Sequence, residues 1–368
     1  MKIDELDTPS LLVNYDILKK NIQSEQYLAD IHSKKLRPHI KTHKSVEIAK
    51  MQMQEGAVGI CTAKVSEAEI MVDGGITDVL VANEIVGAQK LDKLVALAKK
   101  AHISTLVDSM DVLIPLSKAA AKESVHIGVY VEVELGDSRC GTSIENAFEL
   151  ANIITKDEFL DFCGIETFGG FVFHTIDSDM EMKNLESLRS QIKMIISYFK
   201  QRNLHIPSIS VGGSPAYKLL LEVPEITEVR PGVYVFNDAA SVSRGGARFE
   251  DCALSVLSTV ISISKEKKYA VLDGGGKTFS YCCPGTVYGK RILYGVMRNK
   301  ENVLLSGLSE EHGILDIEHY DGDLHVGDKV QIIPSHACPL VNLADELVLV
   351  EGDTVVGRLN VDARGKSK

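Results

Sequence analysis

From about residue 34 to 232, short apolar, β-branched runs alternate with longer segments of helical period. The runs are KLRPHI, AVGICT, DVLVAN, ISTLVD, IGVYVEVEL, FCGIET, SISVGG and ITEVRP. Between them the spacing predicts helices around 45–55, 65–73, 87–101, 111–123, 143–156, 179–203 and 215–222, with one more around 15–31. Strand signals separated in this way by helices predict an α/β fold, a (β/α)8 TIM-type barrel over residues 15–235. After about residue 235 strand-like runs dominate: LSVLSTVISISK, KYAVLDGG, LHVGDKVQIIP, ELVLVEG and TVVGRLNV. Gly, Asp and Asn turns divide them. This predicts a smaller, mostly β C-terminal domain, 236–368, to which 1–14 is added because the apolar stretch PSLLVNY can pair into it. The tail ARGKSK is expected to fray.

Composition narrows the function. With 368 residues, 45% hydrophobic and 25% charged, the chain is an ordinary globular protein with room for two cores. A net charge of -11 argues against nucleic acid or an anionic membrane as partner. No apolar run is long enough to span a bilayer, and the start MKIDELDTPS lacks a signal peptide's apolar core, so the cytoplasm is the expected location. The seven cysteines are odd in number and scattered, which predicts catalytic or ligand roles rather than a disulfide framework.

RPHIKTHKS crowds His39, Lys41, His43 and Lys44 together. If KLRPHIK is the first barrel strand, His39 and Lys41 share a face, about 7 Å apart at roughly 3.3 Å per residue. They would lie at the strand's C-terminal end, where barrel enzymes build active sites. A partly desolvated lysine among cations has a depressed pKa and can form a Schiff base. A solvated basic loop explains the same residues equally well. SVGGSPAY, Ser210 to Tyr217, reads as a strand, a Gly-Gly turn and a helix start, a common phosphate position late in a barrel. An early reactive lysine and a late phosphate turn together suggest pyridoxal phosphate. In PSHACP, His336 and Cys338 stand two apart, so on a strand they face one way and offer imidazole and thiolate, a pair that suits zinc. Two protein donors leave positions for water and substrate. A buried cysteine beside a surface histidine is the plainer account of so short a motif.

In order and spacing, DTPSLLVNYDILKKNI, RPHIKTHKS, VEVELGDSRCG, VGGSPAY, TEVRPGVYVFND, VLDGGGKTFS, LSEEHG and PSHACPLVNL resemble the D-threonine aldolase / D-serine dehydratase family. These are fold-type III pyridoxal phosphate enzymes with an alanine-racemase-like barrel and a C-terminal β domain. The resemblance implies that Lys41 carries the cofactor and then serves as general base, that Arg139 sits near the cofactor's phenolic oxygen, and that Gly212, Gly213 and Ser214 hold the phosphate. It also implies Tyr234 beside the pyridine ring and His336 and Cys338 on a divalent metal, zinc first and manganese second. His39 joins Lys41 and Arg139 as a candidate catalytic residue.

The implied activity is a metal-assisted lyase acting on a small D-β-hydroxy amino acid. It is either a D-serine or D-threo-3-hydroxyaspartate dehydratase or a D-threonine aldolase, working as a homodimer. Cys338 matches the dehydratase branch, where the aldolase branch carries Asp. An amino-acid racemase and a non-catalytic pyridoxal phosphate carrier are the alternatives. The sequence departs from the family at Phe168 and Phe171, where His or Tyr is usual; a relaying polar group is then absent or comes from a residue such as His174. It also departs at Ser-Pro-Ala in the phosphate loop, where Thr-Pro-Thr is usual, and at Pro339-Leu340 after the H-x-C, where Pro-Thr is usual.

Overall fold

The computed structural model describes residues 1–173, 178–213, 217–282, 285–287, 290–292 and 294–368. Contacts divide the chain into two compact units: residues 1–25, 42–47 and 233–365, and residues 26–41, 48–232 and 366–368. The segment 42–47 and the start of the first helix thus group with the β-rich unit, where the sequence pattern put both in the barrel.

β1 (Ser10–Asn14) and α1 (Tyr15–Ile31) open the chain. The barrel strands are β2 (Lys35–Leu36), β3 (Ile60–Thr62), β4 (Asp78–Glu84), β5 (His102–Val107), β6 (Ile127–Glu132), β7 (Leu160–Thr167), β8 (Ile209–Gly212) and β9 (Glu228–Arg230). Helices α2 (Val46–Glu55), α3 (Val65–Asp73), α4 (Ala88–Ala98), α5 (Met110–Glu123), α6 (Ile144–Ile154), α7 (Ser178–Gln201) and α8 (Tyr217–Leu221) separate them. The strands form one parallel sheet in the order β2-β9-β8-β7-β6-β5-β4-β3. It closes where His39 bridges Cys61 and the Cys61 N–H donates to the Pro38 carbonyl at 2.8 Å. β6 is buried at every position, as a parallel strand covered on both faces must be.

Two expectations at the ends of this unit are corrected. The backbone leaves the extended conformation after His39, and residues 40–42 form a 3-10 turn. Lys41 is therefore not the next inward position of a strand, and the shared-face argument for His39 and Lys41 does not hold. Instead the His39 ring accepts the Lys41 backbone N–H through Nδ1 at 3.3 Å. The tail is also tied down: the Lys368 carbonyl accepts the Ser66 N–H at 3.1 Å and its hydroxyl at 2.7 Å. Ser66 lies in the first turn of α3, whose N–H groups have no partner inside the helix.

The second unit is built on β10 (Leu254–Ser264), β11 (Tyr269–Leu272), β12 (Gly285–Val287), β13 (Lys290–Ile292), β14 (Gly295–Met297), β15 (Lys300–Leu308), β16 (Gly313–Asp316), β17 (Lys329–Pro334), β18 (Glu346–Glu351) and β19 (Thr354–Asn360). Its main sheet runs β11-β16-β15-β14-β17-β10-β1-β18-β19. Because β11 also pairs with β10, six of these strands close into an antiparallel ring. β1 pairs with β10 and β18, as PSLLVNY predicted. The Asp273 carboxylate ties the sheet internally by accepting from Thr8 Oγ1 at 2.5 Å, Ser258 Oγ at 2.6 Å and the Thr259 N–H at 2.9 Å. VLDGGG then packs against LSEEHG, with the Gly276 N–H donating to the Ser309 carbonyl at 2.7 Å.

Candidate active site

The barrel residues expected at the site lie at or just beyond the C-terminal ends of their strands. Lys41 follows the β2 segment and is exposed, where partial desolvation was expected. Arg139 lies in the loop after β6. Its guanidinium stacks over the Phe168 ring at 4.2 Å, and its Nη2 is 3.6 Å from Glu132 Oε1. The loop is shaped by Glu134, whose carboxylate accepts the Gly136 and Ser138 N–H groups at 2.7 and 2.9 Å and is held below its usual pKa by them. Phe171 packs against the same loop: a Cβ on Gly136 would come within 3.3 Å of its ring. The two phenylalanines therefore clamp the loop that carries Arg139, which accounts for apolar side chains at positions 168 and 171. His174 lies outside the described residues.

Gly212 ends β8 and Gly213 follows it with φ +129, a conformation open to glycine. A Cβ on Gly212 would lie 2.9 Å from Arg230 Nη2 and 3.4 Å from the Phe168 ring, so glycine lets these two side chains pack against the backbone there. Ser214 lies outside the described residues.

Beneath these residues the barrel interior holds a buried ionic chain. Arg37 pairs with Asp78, and its Nε donates to Glu228 at 3.1 Å. Glu228 accepts the Ser210 hydroxyl at 2.7 Å, and that oxygen accepts from Arg230 Nη1 at 2.5 Å. Arg230 also pairs with Glu166; both are nearly fully buried. Buried charges persist only when paired, which this chain of partners achieves across β7, β8 and β9. Nearer the rim, ligand atoms of Glu84, Glu132 and Cys140 lie within 4.8 Å of one another. Burial, then the Glu84 carboxylate, push Glu132 up to about 8, against the pull of Arg139 and Arg230. Burial raises Cys140 to about 11.

The sequence reading passed over Arg230, Glu166 and Glu132. Their signal was charge inside otherwise apolar strands: Glu228 and Arg230 two apart in TEVRP, Glu132 closing IGVYVE, Glu166 in GIET.

In the β-rich unit, Tyr234 is buried in a 3-10 turn, residues 233–235. His336 and Cys338 are not on a strand face: β17 ends at Pro334, His336 is the N-cap residue of the short helix Ala337–Val341, and Cys338 lies in that helix. What holds them is a set of side chains. Asp238, nearly fully buried, accepts the Ala337 N–H at 3.0 Å. Thr42 Oγ1 is 3.1 Å from Cys338 Sγ, and Cys282 Sγ is 3.1 Å from His336 Nδ1. Thr42 directly follows Lys41 in the chain.

The profile of the alanine racemase N-terminal domain matches residues 13–240, and that of a putative serine dehydratase domain matches residues 253–350. A 3-hydroxy-D-aspartate aldolase of Paracoccus denitrificans (strain Pd 1222) is 33% identical over 100% of this chain and 94% of its own. The chain belongs to the D-threonine aldolase / D-serine dehydratase family. A D-threonine aldolase structure from Filomicrobium marinum superposes with a TM-score of 0.91 at 31% identity, covering 99% of this chain and 98% of that one. A D-threo-3-hydroxyaspartate dehydratase from Delftia sp. HT23 gives 0.87 at 26%, covering 98% of each. The relatives named here are aldolases and dehydratases, and the chain is a lyase of their kind.

Proposed function

We propose that this lyase uses pyridoxal phosphate and a divalent metal to cleave a small D-β-hydroxy amino acid between Cα and Cβ, giving glycine and an aldehyde. The observation that supports the cofactor reading is the Gly212-Gly213 turn at the C-terminal end of β8, with Gly213 at φ +129 and Gly212 against the Phe168 ring on which Arg139 stacks. When bound, the cofactor supplies the electron sink for the bond broken at Cα. Lys41 would supply the amine that holds it and a base that moves a proton. Arg139, steadied by Phe168 and Glu132, presents a fixed cation to a phenolate oxygen. Gly212, Gly213 and Ser214 would hold the phosphate and Tyr234 would pair with the ring, while His39 shapes the turn on which Lys41 sits.

His336 and Cys338 would hold the metal. An imidazole and a thiolate suit zinc first and manganese second. A metal there, when bound, polarises a β-hydroxyl. A cysteine-to-alanine variant of the related dehydratase is described in a metal-free form, which supports the reading. Dehydration to a keto acid and ammonia is the second reading, favoured by Cys338 in place of Asp. The Phe168 and Phe171 rings leave a racemase's opposing acid or base harder to place on the barrel. We further propose a homodimer in the cytoplasm; among the described residues no helix is long and apolar enough to cross a membrane.

The test is incubation of the cofactor- and metal-loaded protein with D-threonine, D-serine and D-threo-3-hydroxyaspartate, with glycine, keto acid and racemised substrate measured together. Glycine is expected. Keto acid selects the dehydratase reading, and racemised substrate alone overturns both.

A further inference from the structure

Cys282, in the SYCCPG segment, has no part in the chemistry above, yet its Sγ lies 3.1 Å from Nδ1 of His336. Both residues sit on pinned turns. The Cys282 N–H donates to Ser280 Oγ at 3.1 Å, just past the short helix Gly276–Phe279. His336 is the N-cap residue of the helix Ala337–Val341, whose Ala337 N–H is fixed by Asp238. The thiol and the ring are thus held from two separate backbone segments.

A neutral imidazole carries one proton, so the partner of one nitrogen decides which nitrogen offers a lone pair. Metal-bound histidines usually donate their other ring N–H to a fixed acceptor, and that partner sets the tautomer and the ring's direction. We propose that Cys282 is the positioning residue of His336: Nδ1–H donates to Cys282 Sγ, and Nε2 is the nitrogen given to the divalent metal. This rests on the reading that His336 and Cys338 bind that metal.

The Cys282 Sγ to His336 Nδ1 separation of 3.1 Å is a hydrogen-bond distance, shorter than the about 3.3–3.8 Å between two donors on one tetrahedral zinc with bonds of about 2.0–2.3 Å.

The experiment uses the zinc-loaded, cofactor-loaded protein and its Cys282→Ala, Cys282→Ser and Cys338→Ala variants, with circular dichroism and cofactor absorption as folding controls. Zinc-edge X-ray absorption counts sulfur neighbours near 2.3 Å, and chelator competition gives affinity. Wild type should show one sulfur. Cys282→Ala should keep that sulfur while binding zinc about 10–100-fold more weakly, and Cys282→Ser should recover part of the loss. Cys338→Ala should lose the sulfur. If Cys282→Ala loses a sulfur neighbour, Cys282 is a ligand and the proposal is wrong. It is equally wrong if zinc affinity is unchanged in Cys282→Ala. A wild type with no sulfur on zinc overturns the metal assignment itself, and with it the positioning role.

Discussion

The Asp238 carboxylate accepts the backbone N–H of Ala337 at 3.0 Å, and Ala337 is the residue between His336 and Cys338. The other carboxylate oxygen accepts the Ser241 N–H and hydroxyl at 2.8 and 2.7 Å. One buried carboxylate therefore fixes the start of the helix Ala239–Ser243 and the turn that presents both metal-type donors. Replacing it with alanine leaves buried N–H groups unsatisfied, at about 1–3 kcal/mol each. Asp238→Ala should lower stability to urea and weaken zinc retention by at least tenfold in chelator competition. Unchanged zinc affinity would show that the turn holds its shape without this carboxylate.

The Arg230–Glu166 pair in the barrel interior is the second point of leverage. Removing one member strands a buried charge and should cost about 3–5 kcal/mol, whereas removing both should cost less than the sum. Urea unfolding of Arg230→Leu, Glu166→Leu and the double variant measures this. Additive losses would show that the two are not coupled in solution.

Glu132 gives a pH dependence with a defined sign. Burial and the Glu84 carboxylate raise it from the usual 4.5 to about 8, so between those values the folded chain binds a proton that the unfolded chain has released. The resulting stability is fully present below about pH 4.5 and lost as pH rises through about 8. In Glu132→Gln this contribution is absent, and the slope of stability against pH over that window should flatten. An unchanged slope would mean that Glu132 is ionised in the fold.

Much of this architecture was legible in the sequence. Short apolar, β-branched runs and a 3.6-residue period in helices located all eight barrel strands and their helices to within a few residues, because parallel strands buried on both faces are continuous apolar runs. The region 285–316 was not legible. Its strands β12, β13, β14 and β16 are three or four residues long, too short for alternation to register. The H-x-C segment was read as a strand because IIP runs into it, but after Pro334 only the Ser335 N–H continues toward β14, on the Tyr294 carbonyl, and Asp238 then takes the Ala337 N–H. Lys41 was placed on a strand for a similar reason, although His39 makes the last bridge. The ionic chain from Asp78 to Glu166 joins residues 88 positions apart, and only the closed barrel brings them together.

The central claim is that a metal on His336 and Cys338 serves the bond-breaking step while Lys41 carries the cofactor. The most direct measurement follows lyase product from D-threonine and D-threo-3-hydroxyaspartate before and after chelation, while the cofactor's visible absorption is recorded in the same cuvette. Product formation should fall to background, the cofactor band should persist, and added zinc or manganese should restore turnover. Undiminished product formation by the metal-free protein would contradict the account.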